Sequence, residues 1–203
     1  MFTYSLNFLG NDDQAKEWVP KVNYLNILGA YAQTELAHGT NVQGIETTAT
    51  LDKTTDEFVI HTPSIAAYKF WPGTLGIHGT HATVFAQMII DGDNCGVQAF
   101  MVPLRSLETH ELFPGVDCGD IGPKLGYQSM DNGYLGFNHY RIPRENLLSR
   151  FIYVDKEGTV EMKGDPRALY SILVATRVAI THASFIAIAR SALISIRYAV
   201  CRR

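Results

Sequence analysis

The sequence has 203 residues, long enough to bury a core and compatible with one domain accompanied by pieces of its neighbours. Hydrophobic residues at 46% and charged residues at 18% are near globular averages, and a net charge of −3 provides no positive surface for nucleic acid. The three cysteines form no Cys-x-x-Cys pair and the seven histidines lie singly, so the sequence indicates neither a disulfide framework nor a metal site.

A short helix is predicted near the start of the chain. Asn11-Asp-Asp-Gln supplies an N-cap residue and acidic side chains in the first turn, and Pro20 is expected to end the helix. The apolar residues 1–9 before it have no basic segment and no small-residue cleavage site, so no secretory signal is indicated.

Strand patterns occupy the chain from Ile27 to about Leu147. Two β-hairpins are predicted, one from residues 45–51 and 57–62, the other from residues 83–90 and 95–103. Polar turns join them, the second being the turn-forming tetrapeptide Asp91-Gly-Asp-Asn94. Residues 137–142 are the last predicted strand. Short strands at this spacing are typical of a barrel or sandwich. The glycine-rich residues 114–133 between them are typical of a long surface loop.

A long helix is predicted from Pro166 to Arg202. It would reach roughly 55 Å. Arg177 and Arg190 enclose only residues 178–189, which are too few to cross a bilayer, so no membrane span is predicted. A helix that is apolar around most of its circumference is expected to be buried by partner helices, and the rest of the sequence supplies none.

Two motifs stand out in the strand region. Tyr31-Ala-Gln-Thr-Glu-Leu-Ala-His-Gly-Thr40 combines an extended start with a tight turn that presents backbone N–H groups and hydroxyls. Further along, Tyr68-Lys-Phe-Trp-Pro-Gly-Thr-Leu-Gly76 places Trp71 beside a Pro-Gly turn, in which Gly73 lets a ligand approach the backbone.

Together these motifs resemble the flavin-binding middle domain of acyl-CoA oxidases. The resemblance covers the chain from about residue 11 onward and continues, in order, through residues 44–50, 120–126, 131–136 and 141–146. It implies an α+β fold, in which an antiparallel β-barrel or sandwich is flanked by a short N-terminal helical remnant and a long C-terminal helix. The implied domains are residues 1–28 as a remnant of an N-terminal helical domain, 29–150 as a β domain that binds flavin and acyl-CoA, 151–164 as a linker, and 165–203 as the first helix of a truncated C-terminal helical domain.

The resemblance also implies an oxidoreductase of fatty acid β-oxidation. Such flavoproteins use FAD to oxidise a fatty acyl-CoA to the trans-2-enoyl-CoA and reduce molecular oxygen to hydrogen peroxide. A homodimer in the peroxisome is implied as well, and the sequence ends in Cys-Arg-Arg where a Ser-Lys-Leu-like peroxisomal signal is usual. Residues 114–133 would then either form a surface loop or help to shape the acyl-CoA site.

Site residues follow from the same resemblance. The implied FAD contacts are Tyr31, Ala32, Gln33, Thr34, Gly39, Thr40, Trp71, Gly73 and, toward the FAD of a partner subunit, Arg202. The implied acyl-CoA contacts are Arg167, Tyr170 and Arg177. Thr34 would hydrogen-bond the flavin ring edge, Gly39 and Thr40 would hold the ribityl-phosphate region, and Trp71 would cover a ring face. Two positions depart from the family pattern, Ala37 where glycine is usual and Phe70 where a second tryptophan is common.

No catalytic residue is assigned. The resemblance places the catalytic glutamate of the family in the C-terminal domain, beyond residue 203, so the chain alone is expected to be inactive. Two alternatives remain open. One is an acyl-CoA dehydrogenase, which shares the domain plan but passes electrons to a flavoprotein. The other is a non-catalytic fragment that binds FAD or CoA and pairs with a full-length subunit.

Overall fold

The computed structural model describes residues 1–165 and 171–202, and the chain divides into two compact units, Met1–Ala168 and Leu169–Arg203. The helices are α1 (Phe2–Leu9), α2 (Asp12–Asn23) and α3 (Ser171–Cys201). The strands are β1 (Gly29–Ala32), β2 (Thr48–Asp52), β3 (Glu57–His61), β4 (Lys69–Gly73), β5 (His81–Ile90), β6 (Asp93–Pro103), β7 (Val116–Asp120), β8 (Asn132–Phe137), β9 (Tyr140–Pro143), β10 (Ile152–Val154) and β11 (Val160–Met162).

The N-terminal end of α2 forms as its sequence predicts, but the C-terminal end does not. The Asn11 side chain accepts hydrogen bonds from the N–H groups of Asp13 and Gln14, and the Gln14 side chain bonds back to the Asn11 N–H. The helix continues through Pro20 to Asn23, so the predicted end before Pro20 is wrong. Proline costs one hydrogen bond there, but the last turn still closes from the Tyr24 N–H to the Pro20 carbonyl at 3.0 Å.

Strand β5 is the centre of the largest sheet, which has the order β1-β5-β2-β3-β9 with β6 also paired to β5. Both predicted hairpins are confirmed, since β2 pairs antiparallel with β3 and β5 with β6. The sheet is mixed, however, because β1 and β2 both run parallel to β5. A second sheet has the order β4-β8-β7, and β10 pairs with β11. The α+β class with a β core is confirmed.

The turn between β5 and β6 is tighter than the predicted tetrapeptide. Asp91 and Gly92 have φ angles of 53° and 90°, the left-handed pair that a type I′ hairpin requires. The next residues, Asp93 and Asn94, already pair with Ile90 and Ile89. The twist of the two strands therefore favours a two-residue turn, and Asp91-Gly92 can adopt the left-handed conformations that this turn requires.

Two predictions near the end of the β unit are wrong. Residues 137–142 do not form one strand, because β8 ends at Phe137 and His139 takes a φ of 51° before β9 begins. Residues 151–164, predicted as a linker, contain the β10–β11 hairpin. The side chains of Ile152 and Val154 are 2% and 1% exposed and belong to the core, so burial of two apolar residues fixes this hairpin despite its polar turn.

The core lies between the sheets and is lined by apolar residues of both. Phe58 of β3 and Phe100 of β6 are fully buried and meet edge to face, with ring centroids 5.0 Å apart. Helix α1 covers one side of β5, where the Ser5 hydroxyl lies 2.7 Å from that of Thr83. The loop at 121–131, between β7 and β8, lies on the surface, with Leu125 and Tyr127 exposed.

Helix α3 is exposed at most of the positions whose burial is described, including Phe185, Ile188 and Ile194. Within it, Thr176–Cys201 has 26 residues and contains an 18-residue stretch with a mean hydropathy of 1.5, so by length and composition it is apolar enough to cross a membrane. A core helix of a soluble protein passes the same test. Length and composition therefore give only weak support for a span, and the arginines at 177 and 190 remain the argument against one.

Candidate functional site

The two motifs singled out in the sequence lie side by side. The chain leaving β1 runs along the segment that leads into β4, with hydrogen bonds from the Leu36 N–H to the Tyr68 carbonyl at 2.9 Å and from the Phe70 N–H to the Thr34 carbonyl at 3.0 Å. This contact brings Thr34 and the following turn close to the strand that carries Trp71. We call the exposed residues Thr34, Gly39, Thr40 and Trp71, together with the partly buried Gly73, the Thr34–Trp71 site.

A buried ion pair fastens the two segments together. The Lys69 ammonium lies 2.8 Å from the Glu35 carboxylate, and both side chains are completely buried. The same carboxylate accepts hydrogen bonds from the Thr47 hydroxyl at 2.6 Å, from the Thr47 N–H at 3.0 Å and from the Glu46 N–H at 2.8 Å. Lys69 also donates to the Gln33 carbonyl at 3.3 Å. Every charge in this cluster therefore has partners, as burial in a core demands.

Burial and neighbouring polar and charged groups shift the pKa values of Glu35 and Lys69. Burial by itself raises the pKa of Glu35, but the Lys69 ammonium and the hydrogen bonds from Glu46 and Thr47 outweigh it, so this pKa lies below its usual value. Burial lowers the pKa of Lys69 to about 8, and the Glu35 carboxylate partly opposes that shift. Glu35 is therefore ionised at neutral pH. His38, in the adjacent turn, lies 3.7 Å from the same carboxylate.

Most side chains at the start of the first motif point into the structure. Ala32 is fully buried, and Gln33 is 8% exposed. Tyr31 packs on Phe85 with centroids 4.9 Å apart and donates its hydroxyl proton to the Gln33 side chain at 2.9 Å. Burial raises the pKa of Tyr31, so its hydroxyl stays protonated. Ala32 and Gln33 are therefore buried and Tyr31 is partly buried, whereas Thr34 is exposed.

The Thr34–Trp71 site offers unused hydrogen-bond donors. Among the described residues, none bonds to the Thr34 hydroxyl, the Thr40 hydroxyl or the N–H groups of Gly39 and Thr40. Gly39 lies directly against Thr34, since a Cβ at Gly39 would be 3.3 Å from the Thr34 methyl carbon. Trp71 is 55% exposed and follows Phe70 in β4, whose N–H bonds to the Thr34 carbonyl. Free N–H and O–H donors next to an exposed indole fit a flat, heteroatom-rich ring that bears phosphate.

The turn after β4 is held by two residues that the sequence analysis did not select. The buried Arg105 guanidinium donates to the Gly79 carbonyl at 2.7 Å and to the Gly76 carbonyl at 3.1 Å. The Asp131 carboxylate accepts from the N–H groups of Ile77 at 3.0 Å and His78 at 2.9 Å. No sequence signal marks such contacts, because both residues look like ordinary surface charges until the fold brings them to the turn.

Two of the remaining predicted site residues belong to the other compact unit, and two lie outside the described residues. Arg177 and Arg202 are on or next to α3, in the other compact unit, and both are exposed. The Arg202 guanidinium lies over the Tyr198 ring, 5.6 Å from its centroid. Arg167 and Tyr170 lie outside the described residues. Within 1–165 and 171–202, no three His, Cys, Asp or Glu side chains come together as a metal site.

The chain is similar along its length to acyl-CoA oxidases. It is 47% identical to peroxisomal acyl-coenzyme A oxidase 2 of Mus musculus over 98% of the chain and 29% of that protein. The solved structure of Arabidopsis thaliana acyl-CoA oxidase 1 matches with a TM-score of 0.96 and 46% identity, over 100% of the chain and 32% of that structure. A solved structure of Caenorhabditis elegans acyl-CoA oxidase-2, bound with FAD, ascaroside-CoA and ATP, matches with a TM-score of 0.81 and 44% identity, over 83% of the chain and 26% of its own.

No family model matches the chain. It spans 29% of the mouse protein and 32% of the Arabidopsis structure, so the match is to one region of these longer relatives. Within that region, sequence identity and fold agree from one end of the chain to the other. The chain is therefore a member of the acyl-CoA oxidase family, homologous to somewhat less than a third of the length of those proteins.

Proposed function

We propose that this chain forms the flavin-binding and part of the acyl-CoA-binding region of a peroxisomal acyl-CoA oxidase. The reaction would be the oxidation of a fatty acyl-CoA to the trans-2-enoyl-CoA with reduction of molecular oxygen to hydrogen peroxide, the first step of fatty acid β-oxidation. The observation that carries the proposal is the Thr34–Trp71 site, in which free donors and an exposed tryptophan lie on two segments that are hydrogen-bonded to each other. A relative whose structure is bound with FAD, and relatives named peroxisomal, support it.

Bound FAD supplies the acceptor for the β-hydride of the substrate and the group that oxygen reoxidises. The chain's residues would bind and orient it. The Thr34 hydroxyl would donate to the ring edge, and the N–H groups of Gly39 and Thr40 would bind the ribityl-phosphate region. The Trp71 indole would cover one ring face and exclude water from it. The Glu35–Lys69 pair keeps the two segments at a fixed separation.

The other proposed roles come from the family. Arg167, Tyr170 and Arg177 would contact the acyl-CoA, and Arg202 would approach the FAD of a second subunit in a homodimer. Residues 1–28 would belong to an N-terminal helical domain and α3 to a C-terminal helical domain. That domain carries the glutamate that removes the α-proton in the family, so no described residue is given this role.

A chimera tests the function. The chain would replace the matching region of the mouse relative, and peroxide release from palmitoyl-CoA would be measured under air. We expect peroxide in amounts equal to the enoyl-CoA formed. Reduction of an artificial dye without peroxide would indicate a dehydrogenase. A chimera that retains FAD but oxidises no acyl-CoA, beside an active mouse parent, would contradict the proposal and favour a binding fragment.

Replacing Thr34 by valine tests the flavin contact in the same chimera. Valine keeps the shape of threonine but removes the donor, which leaves a buried ring-edge acceptor unpaired at a cost of ~1 to 3 kcal/mol. FAD affinity should fall roughly 5- to 150-fold, since ~1.4 kcal/mol is tenfold. The matched control is Thr48→Val, in β2. Equal FAD affinity of both variants and the parent would remove Thr34 from the site.

A further inference from the structure

The backbone of Trp71 is in an unusual conformation. Its φ angle is 87°, a region that side chains with a Cβ rarely adopt, and the ring is nevertheless 55% exposed. An exposed aromatic side chain gains little burial energy to offset such a conformation. Strain of this kind persists only where surrounding contacts enforce it, and it is concentrated at functional sites.

The strain coincides with a β-bulge between β4 and β8. Phe70 pairs with Tyr134 and Gly73 with Asn132, so Trp71 and Pro72 together oppose the single residue Gly133. Gly133 has no room for a side chain, because a Cβ there would lie 2.5 Å from the Gly76 nitrogen. The backbone of β8 opposite the bulge is therefore packed closely against Gly76.

One side chain holds the bulge at Trp71 itself. The Asn132 amide donates a hydrogen bond to the Trp71 carbonyl at 2.7 Å. The backbone of Asn132 is anchored in turn, since its N–H donates to the Met130 carbonyl at 3.0 Å and its carbonyl accepts from the Ile121 N–H at 3.1 Å. These two backbone hydrogen bonds fix Asn132, and its side-chain amide in turn binds the peptide group between Trp71 and Pro72.

We propose that Asn132 is a positioning residue for Trp71. Its side-chain amide keeps the Trp71 backbone in the left-handed conformation, and this directs the indole outward and restricts its motion. The effect on ligand binding rests on the proposed function. An indole that is already fixed would lose little conformational freedom when it stacks on the flavin. The positioning itself does not depend on the flavin.

The test uses the whole 203-residue chain. Trp18 and Trp71 are the only tryptophans, so Trp18→Phe makes Trp71 the sole indole reporter. In that background, Asn132→Ala removes the amide, and Asn132→Asp keeps its shape but removes the donor. The matched control is Asn146→Ala, since Asn146 makes the same kind of bond, to the Met101 carbonyl at 2.8 Å, away from Trp71. Circular dichroism would verify that each variant is folded.

Time-resolved anisotropy and acrylamide quenching would be measured first without flavin. We expect a larger fast anisotropy component and roughly twofold or greater quenching in both Asn132 variants, and parent values in Asn146→Ala. Trp71 motion that is unchanged in the folded Asn132→Ala and Asn132→Asp variants would overturn the proposal.

FAD would then be titrated by its quenching of Trp71 emission. We expect Asn132→Ala to bind FAD about tenfold more weakly than the parent. If the parent itself binds no FAD, the flavin assignment fails, while the anisotropy result still decides whether Asn132 positions Trp71. If the parent binds FAD and Asn132→Ala binds it equally well, the role of Asn132 in ligand placement is refuted.

Discussion

Replacing Lys69 by methionine should lower the free energy of unfolding of the β unit by about 3–5 kcal/mol. The substitution leaves the Glu35 carboxylate buried without its counter-charge, which costs more than the pair contributes when intact. Urea unfolding monitored by circular dichroism would measure the change. The double variant Lys69→Met with Glu35→Gln should recover more than half of the loss, because no charge then remains in the core.

An exposed lysine provides the control. Lys53 pairs with Asp91 at the surface, where side-chain exposures are 35% and 65%. Lys53→Met should therefore change the unfolding free energy by about 1 kcal/mol or less. If Lys69→Met lowers the free energy of unfolding no more than Lys53→Met does, the buried pair does not hold the two segments of the site together.

The pair also predicts a pH dependence. Because the folded pKa of Glu35 is lower than its unfolded value of 4.5, its contribution to stability is complete above pH 4.5 and is lost as the pH falls through the folded pKa. The double variant lacks this carboxylate. Its unfolding free energy should fall less steeply than that of the parent on acidification below pH 4.5.

Replacing Arg105 by methionine should lower the free energy of unfolding by about 2–6 kcal/mol. The substitution leaves the buried Gly76 and Gly79 carbonyls without their hydrogen-bond donor, which costs ~1 to 3 kcal/mol for each carbonyl. Arg105→Lys should lie between the parent and Arg105→Met, because an ammonium is a point donor and cannot reproduce the fork of the guanidinium. Hydrogen exchange would locate the effect, with faster exchange expected at Ile77 and His78.

Arg141 is the control for charge without burial. Its side chain is 47% exposed and lies 3.0 Å from both Asp52 and Glu57. Arg141→Met should therefore lower the free energy of unfolding much less than Arg105→Met does, although Arg141 has two acidic partners and Arg105 bonds to backbone carbonyls. A loss for Arg141→Met that matches that of Arg105→Met would contradict the importance assigned to burial.

Features set by local chemistry were predicted from the sequence. The β5–β6 hairpin is encoded by Asp91-Gly92, whose residues tolerate left-handed conformations, and by the apolar strands on either side. The N-cap of α2 is encoded by Asn11, whose side chain accepts hydrogen bonds from the N–H groups of Asp13 and Gln14. In each case the interacting residues are within a few positions of each other, so their pattern is visible in the chain.

Features that depend on distant contacts were not predicted. Glu35 and Lys69 are 34 positions apart, and a buried charged pair looks like two surface charges in a sequence. The same holds for Arg105, which reaches carbonyls 26 and 29 positions away. The hairpin of β10 and β11 was missed because its strands have only three residues each and are surrounded by polar residues. The flavin motifs were placed by resemblance, and their roles stay predictions.

The parallel alignment of β5 with β1 and β2 determines the order in which the sheet can assemble. Strand β2 can pair with β3 as soon as both leave the ribosome, since only a short turn separates them. Strand β1, at Gly29–Ala32, pairs along its length with His81–Val84 and must wait until that later segment has been synthesised. Contacts between such distant segments form slowly, because a long loop must close first. We therefore expect the segment that carries Thr34, which continues directly from β1, to acquire its final position late in folding.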